Sequence, residues 1–240
     1  MKRVALTVAI AVCLLNSARA QNKTYFGLEF SVANDLFKIA DNGNYLMPVP
    51  LVDAQGGFTL RQEINRRVFI ETGVILKYYW EGFAFKTIPY YSTSSSDPSW
   101  IIPVRFGFDL NLYKEKIYLV PVLGYSFGIN PPYGYGLDYG EQKSSTTTIN
   151  YYSTENPDVS RYFSLLQTGI GFEFLVVKKL LCSILTNYYA GFNKTTQLDI
   201  TYTVNNTSQM TGTATSKGEF WCVSAGVKYP VSNFWQGNKR

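Results

Sequence analysis

Nine ionisable residues stand on alternate positions of otherwise apolar segments: Glu29, Arg61, Glu63, Glu71, Lys77, Arg105, Asp109, Glu173 and Lys228. Glycine, serine and threonine recur among their neighbours on the same parity, and the intervening positions are mostly phenylalanine, leucine, isoleucine and valine. Five acids and four bases so placed could neutralise one another in a confined space, or line a path for protons or ions. Mutual pairing is the expectation, because an unpaired charge withdrawn from water is heavily penalised. Other chemistry is thin. The chain has no histidine, the usual general base and commonest transition-metal ligand. No phosphate-cradling glycine loop, paired-cysteine metal motif or acidic calcium loop occurs, so no catalytic residue, cofactor or metal site is expected. Asp35, Asp41 and Asp53 share one long connection and could hold a cation, but scattered loop acids are ordinarily solvated.

Period-two alternation is what must position the nine. Eight segments show it: Thr24 to Ala33, Gly57 to Ile64, Val68 to Tyr78, Trp100 to Leu110, Ile117 to Ile129, Tyr162 to Leu175, Leu180 to Asn193 and Glu219 to Tyr229. Phe26, Leu28, Phe30 and Val32 oppose Gly27, Glu29 and Ser31 in the first, and Ile102, Val104, Phe106 and Phe108 oppose Arg105 and Gly107 in the fourth. The seventh segment has no face that alternation can assign. Pro103 and Pro121 fall inside strands and call for bulges or strand ends.

The connections alternate in length. Links near 65, 111–116 and 178 are tight, whereas 34–56, 80–99, 130–161 and 194–218 are long. Short turns at one end and long loops at the other is the pattern of an outer-membrane barrel. A soluble barrel would carry large apolar groups inside and a well-charged surface outside. Here charged residues are 16% of the chain and aromatics 16%, with 19 tyrosines. Tyr25, Tyr78, Tyr79, Trp80, Trp100, Tyr113, Tyr118, Tyr188, Tyr189, Trp221 and Tyr229 are placed to form interfacial girdles. The fold class expected is therefore all-β, an eight-stranded antiparallel up-and-down transmembrane β-barrel, its narrow interior filled by side chains.

The chain opens with Lys2 and Arg3, an apolar run from Val4 to Leu15, and Ala18-Arg19-Ala20. That reads as a secretory signal peptide over residues 1–20, since a spanning helix needs roughly 20 apolar residues. The barrel domain then occupies 21–240, with four long extracellular loops. Cys13 follows Val12 rather than a small residue, so lipid anchoring is not expected. The mature charge is mild, which implies no nucleic-acid partner. Cys182 is expected opposite a residue near Tyr229, away from Cys222, which disfavours a disulfide. Gly134, Gly136 and Gly140 interleave with Tyr133, Tyr135 and Tyr139, as in an aromatic platform or a flexible loop. Leu198, Ile200, Tyr202 and Val204 alternate within the last long connection, as in a hairpin that projects beyond the membrane and offers an edge to a partner strand.

Several pieces resemble the PorT-like outer-membrane barrel group of Bacteroidetes: FIETGVILKYYWEGF at Phe69 to Phe83, WIIPVRFGFDL at Trp100 to Leu110, KIYLVPVLGYSFG at Lys116 to Gly128, GIGFEF at Gly169 to Phe174, and NYYAGFNK at Asn187 to Lys194. Pro103 resembles a proline usual at that place in the group. The chain departs by running on past Tyr229 to Arg240. The resemblance implies the barrel fold and no particular activity. The function expected is a non-enzymatic barrel with a structural or surface-interaction role through its long loops. A narrow pore or accessory barrel of a secretion or transport complex is the alternative, and a soluble periplasmic lipid-binding barrel a third. Expected partners are outer-membrane lipid and a surface or secretion-complex protein.

Overall fold

The computed structural model describes residues 23–48, 52–78, 80–95, 98–130, 137–157, 159–177 and 180–231. The expected signal peptide, the Lys178-Lys179 link, Tyr79, the side chain of Trp80, and Tyr133 to Gly136 lie outside the described residues.

Eight strands form the barrel wall: β1 (Thr24–Asp35), β4 (Val52–Glu63), β5 (Val68–Lys77), β8 (Ser99–Phe108), β10 (Ile117–Ile129), β13 (Tyr162–Val177), β14 (Leu180–Gly191) and β17 (Phe220–Pro230). Each pairs antiparallel with its predecessor, and β17 returns to β1 with Tyr25 opposite Pro230 and Asp35 opposite Phe220. The closed wall leaves no free edge, so its backbone polar groups can be satisfied by neighbouring strands on both sides. Strand β9 (Leu110–Tyr113) continues β8 past a break at Asp109.

Alternation decides the two surfaces. Phe106, Phe172 and Val223 point away from the barrel and stay 48%, 45% and 43% exposed, while Glu29, Arg61, Glu71, Arg105 and Lys228 are buried inside. An apolar outer wall around a charged interior inverts the soluble arrangement and suits surrounding hydrocarbon. The seventh wall strand resists assignment by sequence because its inward positions Leu181, Leu185 and Tyr189 are as apolar as outward Ile184. Tyr25, Tyr118 and Tyr189 correct the expected girdle, since all three rings turn to the lumen side. Tyr78, Trp100, Tyr113, Tyr188, Trp221 and Tyr229 do face outward.

Two cross-strand pairs explain part of the glycine content of the inner face. Phe69 lies opposite Gly107 and Phe163 opposite Gly128. A methyl group at either glycine would fall within 2.1 Å or 2.0 Å of the facing ring. At these two positions the wall seats a phenylalanine ring in the lumen against a partner that has no side chain.

Both prolines sit at interruptions. The β5–β8 ladder lapses between Thr72–Val104 and Ile75–Ile101, where Pro103 has no N–H to give, and the Thr72 hydroxyl donates to the Pro103 carbonyl at 2.8 Å. Pro121 faces the β8–β9 break, between the Val122–Gly107 and Leu119–Leu110 pairs.

The first two short links are close turns. Asn65 closes the first, its Oδ1 accepting from the N–H groups of Arg67 and Val68 at 2.8 and 2.9 Å. The 111–116 link is mostly strand β9, leaving the three residues Lys114 to Lys116, of which Lys114 and Glu115 take φ of 44° and 56°. Such left-handed turns favour Asn-Gly, because other side chains are strained there. Replacing Lys114 with asparagine and Glu115 with glycine should raise unfolding stability by about 1 kcal/mol. Urea titration of micelle-embedded protein measures this, and an unchanged midpoint would refute it.

The four long connections are not irregular loops. Each contributes two strands: β2 (Lys38–Asp41) and β3 (Leu46–Pro48), β6 (Trp80–Phe85) and β7 (Ile88–Ser95), β11 (Leu137–Lys143) and β12 (Thr148–Glu155), β15 (Thr196–Val204) and β16 (Met210–Ser216). They assemble as a five-stranded sheet, β11-β12-β15-β16-β2, and a three-stranded sheet, β3-β6-β7. A second hydrophobic core forms there from Leu46, Phe83, Phe85, Ile149, Leu198, Ile200, Tyr202, Val204 and Ala214. All four connections supply it, so they fold as one head. The β15–β16 hairpin lies in the middle of its sheet rather than at an edge. The outer strands are β11 and β2, which corrects the expectation that the last hairpin offers the edge.

Candidate functional site in the lumen and the head

Arg105 on β8 is 2% exposed and lies beside its register partner Glu71 on β5. Its guanidinium donates to Glu71 Oε1 at 2.9 Å, to both carboxylate oxygens of Glu29 across the lumen, to Tyr189 Oη at 3.2 Å and to Gln167 Oε1 at 3.0 Å. The rigid planar fork suits arginine to this many-sided role. Gln167 then donates to Asn187 at 3.0 Å, and Asn187 to Ser224 at 3.2 Å.

From Glu71 the pairing continues without a gap. Lys228 bridges Glu71 at 2.6 Å and Glu173 at 2.9 Å. Glu173 meets Arg61 at 2.5 Å, and Arg61 also pairs with Asp109. The Arg61 guanidinium lies 3.6 Å from the centre of the Phe69 ring. Seven of the nine residues singled out by spacing thus form one chain, Glu29–Arg105–Glu71–Lys228–Glu173–Arg61–Asp109. Each ion has a partner on another strand, which limits the desolvation cost of holding it inside. A one-residue slip of any contributing strand would send its charge to the outer face.

The remaining two stand apart. Lys77 donates to Asp35 at 2.7 and 2.6 Å and to Asp53 at 3.3 Å, with the Phe220 ring 4.7 Å away. Glu63 lines a vestibule at the short-turn end. Asp35 and Asp53, expected as solvated loop acids, are instead buried ion-pair partners of Lys77. Strand β1 runs on to Asp35 and β4 begins at Val52, so these acids are wall residues facing inward. The signal was available in the parity of Glu29, Ser31, Ala33 and Asp35. Among the described residues both remaining thiols are free, with Cys182 opposite Val227 and Cys222 opposite Asn187.

Strand β5 shows how the lumen is filled, since its inward residues run Lys77, Ile75, Gly73, Glu71, Phe69. Ile75 belongs to an apolar layer with Ile101, Phe163, Leu165, Tyr189 and Phe220, and Phe69 to another with Val120, Val122 and Leu185. Charged and apolar layers alternate along the axis. Below them opens the vestibule, about 680 Å³, lined among others by Tyr25, Arg61, Asp109, Tyr118 and Glu173. Among the described residues no group of three His, Cys, Asp or Glu side chains is placed to hold a metal.

In the head, Asp41 is no cation ligand either. Its carboxylate accepts from the N–H groups of Gly43 at 3.0 Å and Leu46 at 2.6 Å and from the Tyr202 hydroxyl at 2.6 Å, clasping the β2–β3 turn onto β15. Burial pushes its pKa up, but the hydrogen bonds outweigh this and hold the group below its ordinary value of 3.8. Burial and the neighbouring carboxylate push the Tyr202 hydroxyl well above its usual range. A carboxylate with a lowered folded-state pKa stabilises above its unfolded pKa, and that contribution is lost as pH falls through the folded value. Head proteolysis should therefore accelerate below about pH 4, and Asp41→Asn should flatten that acid limb. An acid limb of equal steepness in the variant assigns the loss to other groups.

A scan of protein-family models gives no match, and no curated protein matches the chain. Solved structures with a similar course include the outer membrane protein OprG from Pseudomonas aeruginosa, 10% identical over 87% of this chain and 96% of that one, with a TM-score of 0.45. Neisserial surface protein A is 11% identical over 88% and 99%, with a TM-score of 0.44. The attachment invasion locus protein Ail of Yersinia pestis is 15% identical over 88% and 100%, with a TM-score of 0.35. These neighbours are bacterial outer-membrane barrels. Likeness at this level carries no functional argument, and the fold assignment here stands on the strand pairing itself.

Proposed function

We propose that the chain is a non-enzymatic bacterial outer-membrane barrel that carries a folded head at the cell surface and acts through contacts made by that head. The observation that carries this reading is the joining of four long connections into one apolar core above a lumen packed with side chains. Loops that only closed the barrel would need no core of their own. A lumen crossed by two apolar layers and a charge chain leaves the head as the part that can meet a partner. The lipid of the outer membrane is the medium for the outward phenylalanines, and a protein or glycan at the surface is the partner class for the head. Membership in the PorT-like Bacteroidetes group is proposed on the motifs at Phe69 to Phe83 and Trp100 to Gly128 alone.

Planar-bilayer recording of refolded protein tests the reading against the pore alternative. Silent bilayers, together with protease removal of the head from intact cells, are the expected result. Discrete conductance steps would overturn the closed-lumen part of the proposal, and a head shielded from external protease would overturn its surface placement.

A further inference from the structure

Where the wall meets the head, three lysines from the first and last long connections converge. Lys38 follows β1, Lys194 follows β14 and Lys217 precedes β17, and all three line one pocket of about 70 Å³ with Leu36, Thr215, Ser216 and Glu219. The segments are tied together by backbone hydrogen bonds, Leu36 N–H to the Glu219 carbonyl at 2.9 Å and Thr195 N–H to the Ser216 carbonyl at 2.9 Å. Among the described residues, no carboxylate lies within ion-pair distance of any of the three ammonium groups. Lys194 donates instead to the neutral Gln197 at 2.7 Å. Three ammonium groups against the single carboxylate of Glu219 leave the hollow net positive, a field that attracts an anion.

The surroundings indicate where that anion comes from. Directly below the pocket, Trp221 and Tyr188 are register partners on β17 and β14, and both rings face outward. Outward aromatic residues of this kind sit at the headgroup level of a bilayer. Leu36 and Phe192, also exposed, continue the apolar surface up to the lysines. A cationic hollow directly above an aromatic and apolar wall matches a molecule with a phosphate at one end and acyl chains at the other.

We infer that Lys38, Lys194 and Lys217 bind the phosphate of a membrane-lipid headgroup on the head side of the bilayer. The inference rests on the membrane reading proposed above. A pocket of this size holds on the order of five waters, enough for one tetrahedral oxyanion. Each lysine near a membrane surface contributes roughly a fivefold factor in affinity for anionic lipid, so all three together contribute on the order of a hundredfold.

The test uses full-length refolded protein and a variant with Lys38→Gln, Lys194→Gln and Lys217→Gln, all exposed positions. A control carries Lys23→Gln, Lys114→Gln and Lys116→Gln at the opposite end. Each is reconstituted into vesicles of phosphatidylcholine alone or with lipid A, floated, then extracted for native mass spectrometry. Wild type and control should retain lipid A through extraction, and the head-side variant should retain on the order of a hundredfold less. Equal retention by all three proteins overturns the site while leaving the membrane reading intact. Displacement of the lipid by inorganic phosphate at equal concentration overturns the lipid source and leaves a free-anion site. Failure of wild type to float with phosphatidylcholine vesicles overturns the membrane reading and the site with it.

Discussion

Replacing Arg105 with methionine should destabilise the folded barrel by about 3–5 kcal/mol, the range for removing one partner of a buried ion pair. The loss comes less from the missing attraction than from what stays behind. Glu29 loses the one ion-pair partner it has among the described residues, while Glu71 keeps Lys228, and Gln167 and Tyr189 each lose a hydrogen bond. Arg105→Lys should recover part of the loss, because an ammonium can serve Glu29 or Glu71 but cannot also reach Gln167 with a planar fork. Pairing Arg105→Met with Glu29→Gln should also recover part, since no uncompensated carboxylate then remains at that position. Urea unfolding in micelles, followed by heat-modifiable gel migration, measures all three. A single-variant loss below about 1 kcal/mol would show that water reaches this layer, contrary to a packed lumen.

Phe85→Ala is the second large expectation. Its ring is fully buried in the head, 5.4 Å from Tyr202 and 5.7 Å from both Phe83 and Tyr151 between ring centres. Truncation should cost the head about 3–5 kcal/mol, the transfer term plus a cavity that the surrounding aromatics cannot fully collapse. The barrel draws on different layers, so the loss should be local. Limited proteolysis should cut the variant within the head connections while the barrel band keeps its heat-modifiable shift. If barrel and head instead melt together at a lowered midpoint, the two cores form one cooperative unit and the head is not a separable surface module.

The two variants divide the molecule by what can act. The lumen holds its charges in pairs that would have to be broken to move a solute, and the head holds surface that no wall strand covers. The lysine hollow joins the two at the membrane surface, where a bound lipid would fix the position of β2 and β16 relative to the wall.

Side-chain alternation is a local property, and it was enough to determine which residues of Phe26 to Val32 or Ile102 to Phe108 face outward. Link lengths likewise ordered the eight wall strands, because tight turns force antiparallel neighbours. The same reasoning placed Glu29, Arg61, Glu71, Arg105, Asp109, Glu173 and Lys228 on the inner face. Their partners could not be read in this way, since which charges meet across a lumen depends on the stagger at which the wall closes. Lys77 shows the difference: its acids, Asp35 and Asp53, stood at the ends of strands whose length only closure decided. The seventh strand was illegible because an inward position in a packed lumen accepts Leu185 as readily as Asn187. The head was illegible for a related reason. Leu46, Phe85, Ile149 and Ala214 come from four connections far apart in sequence, and no single connection carries enough apolar surface to announce a core before the others are brought beside it.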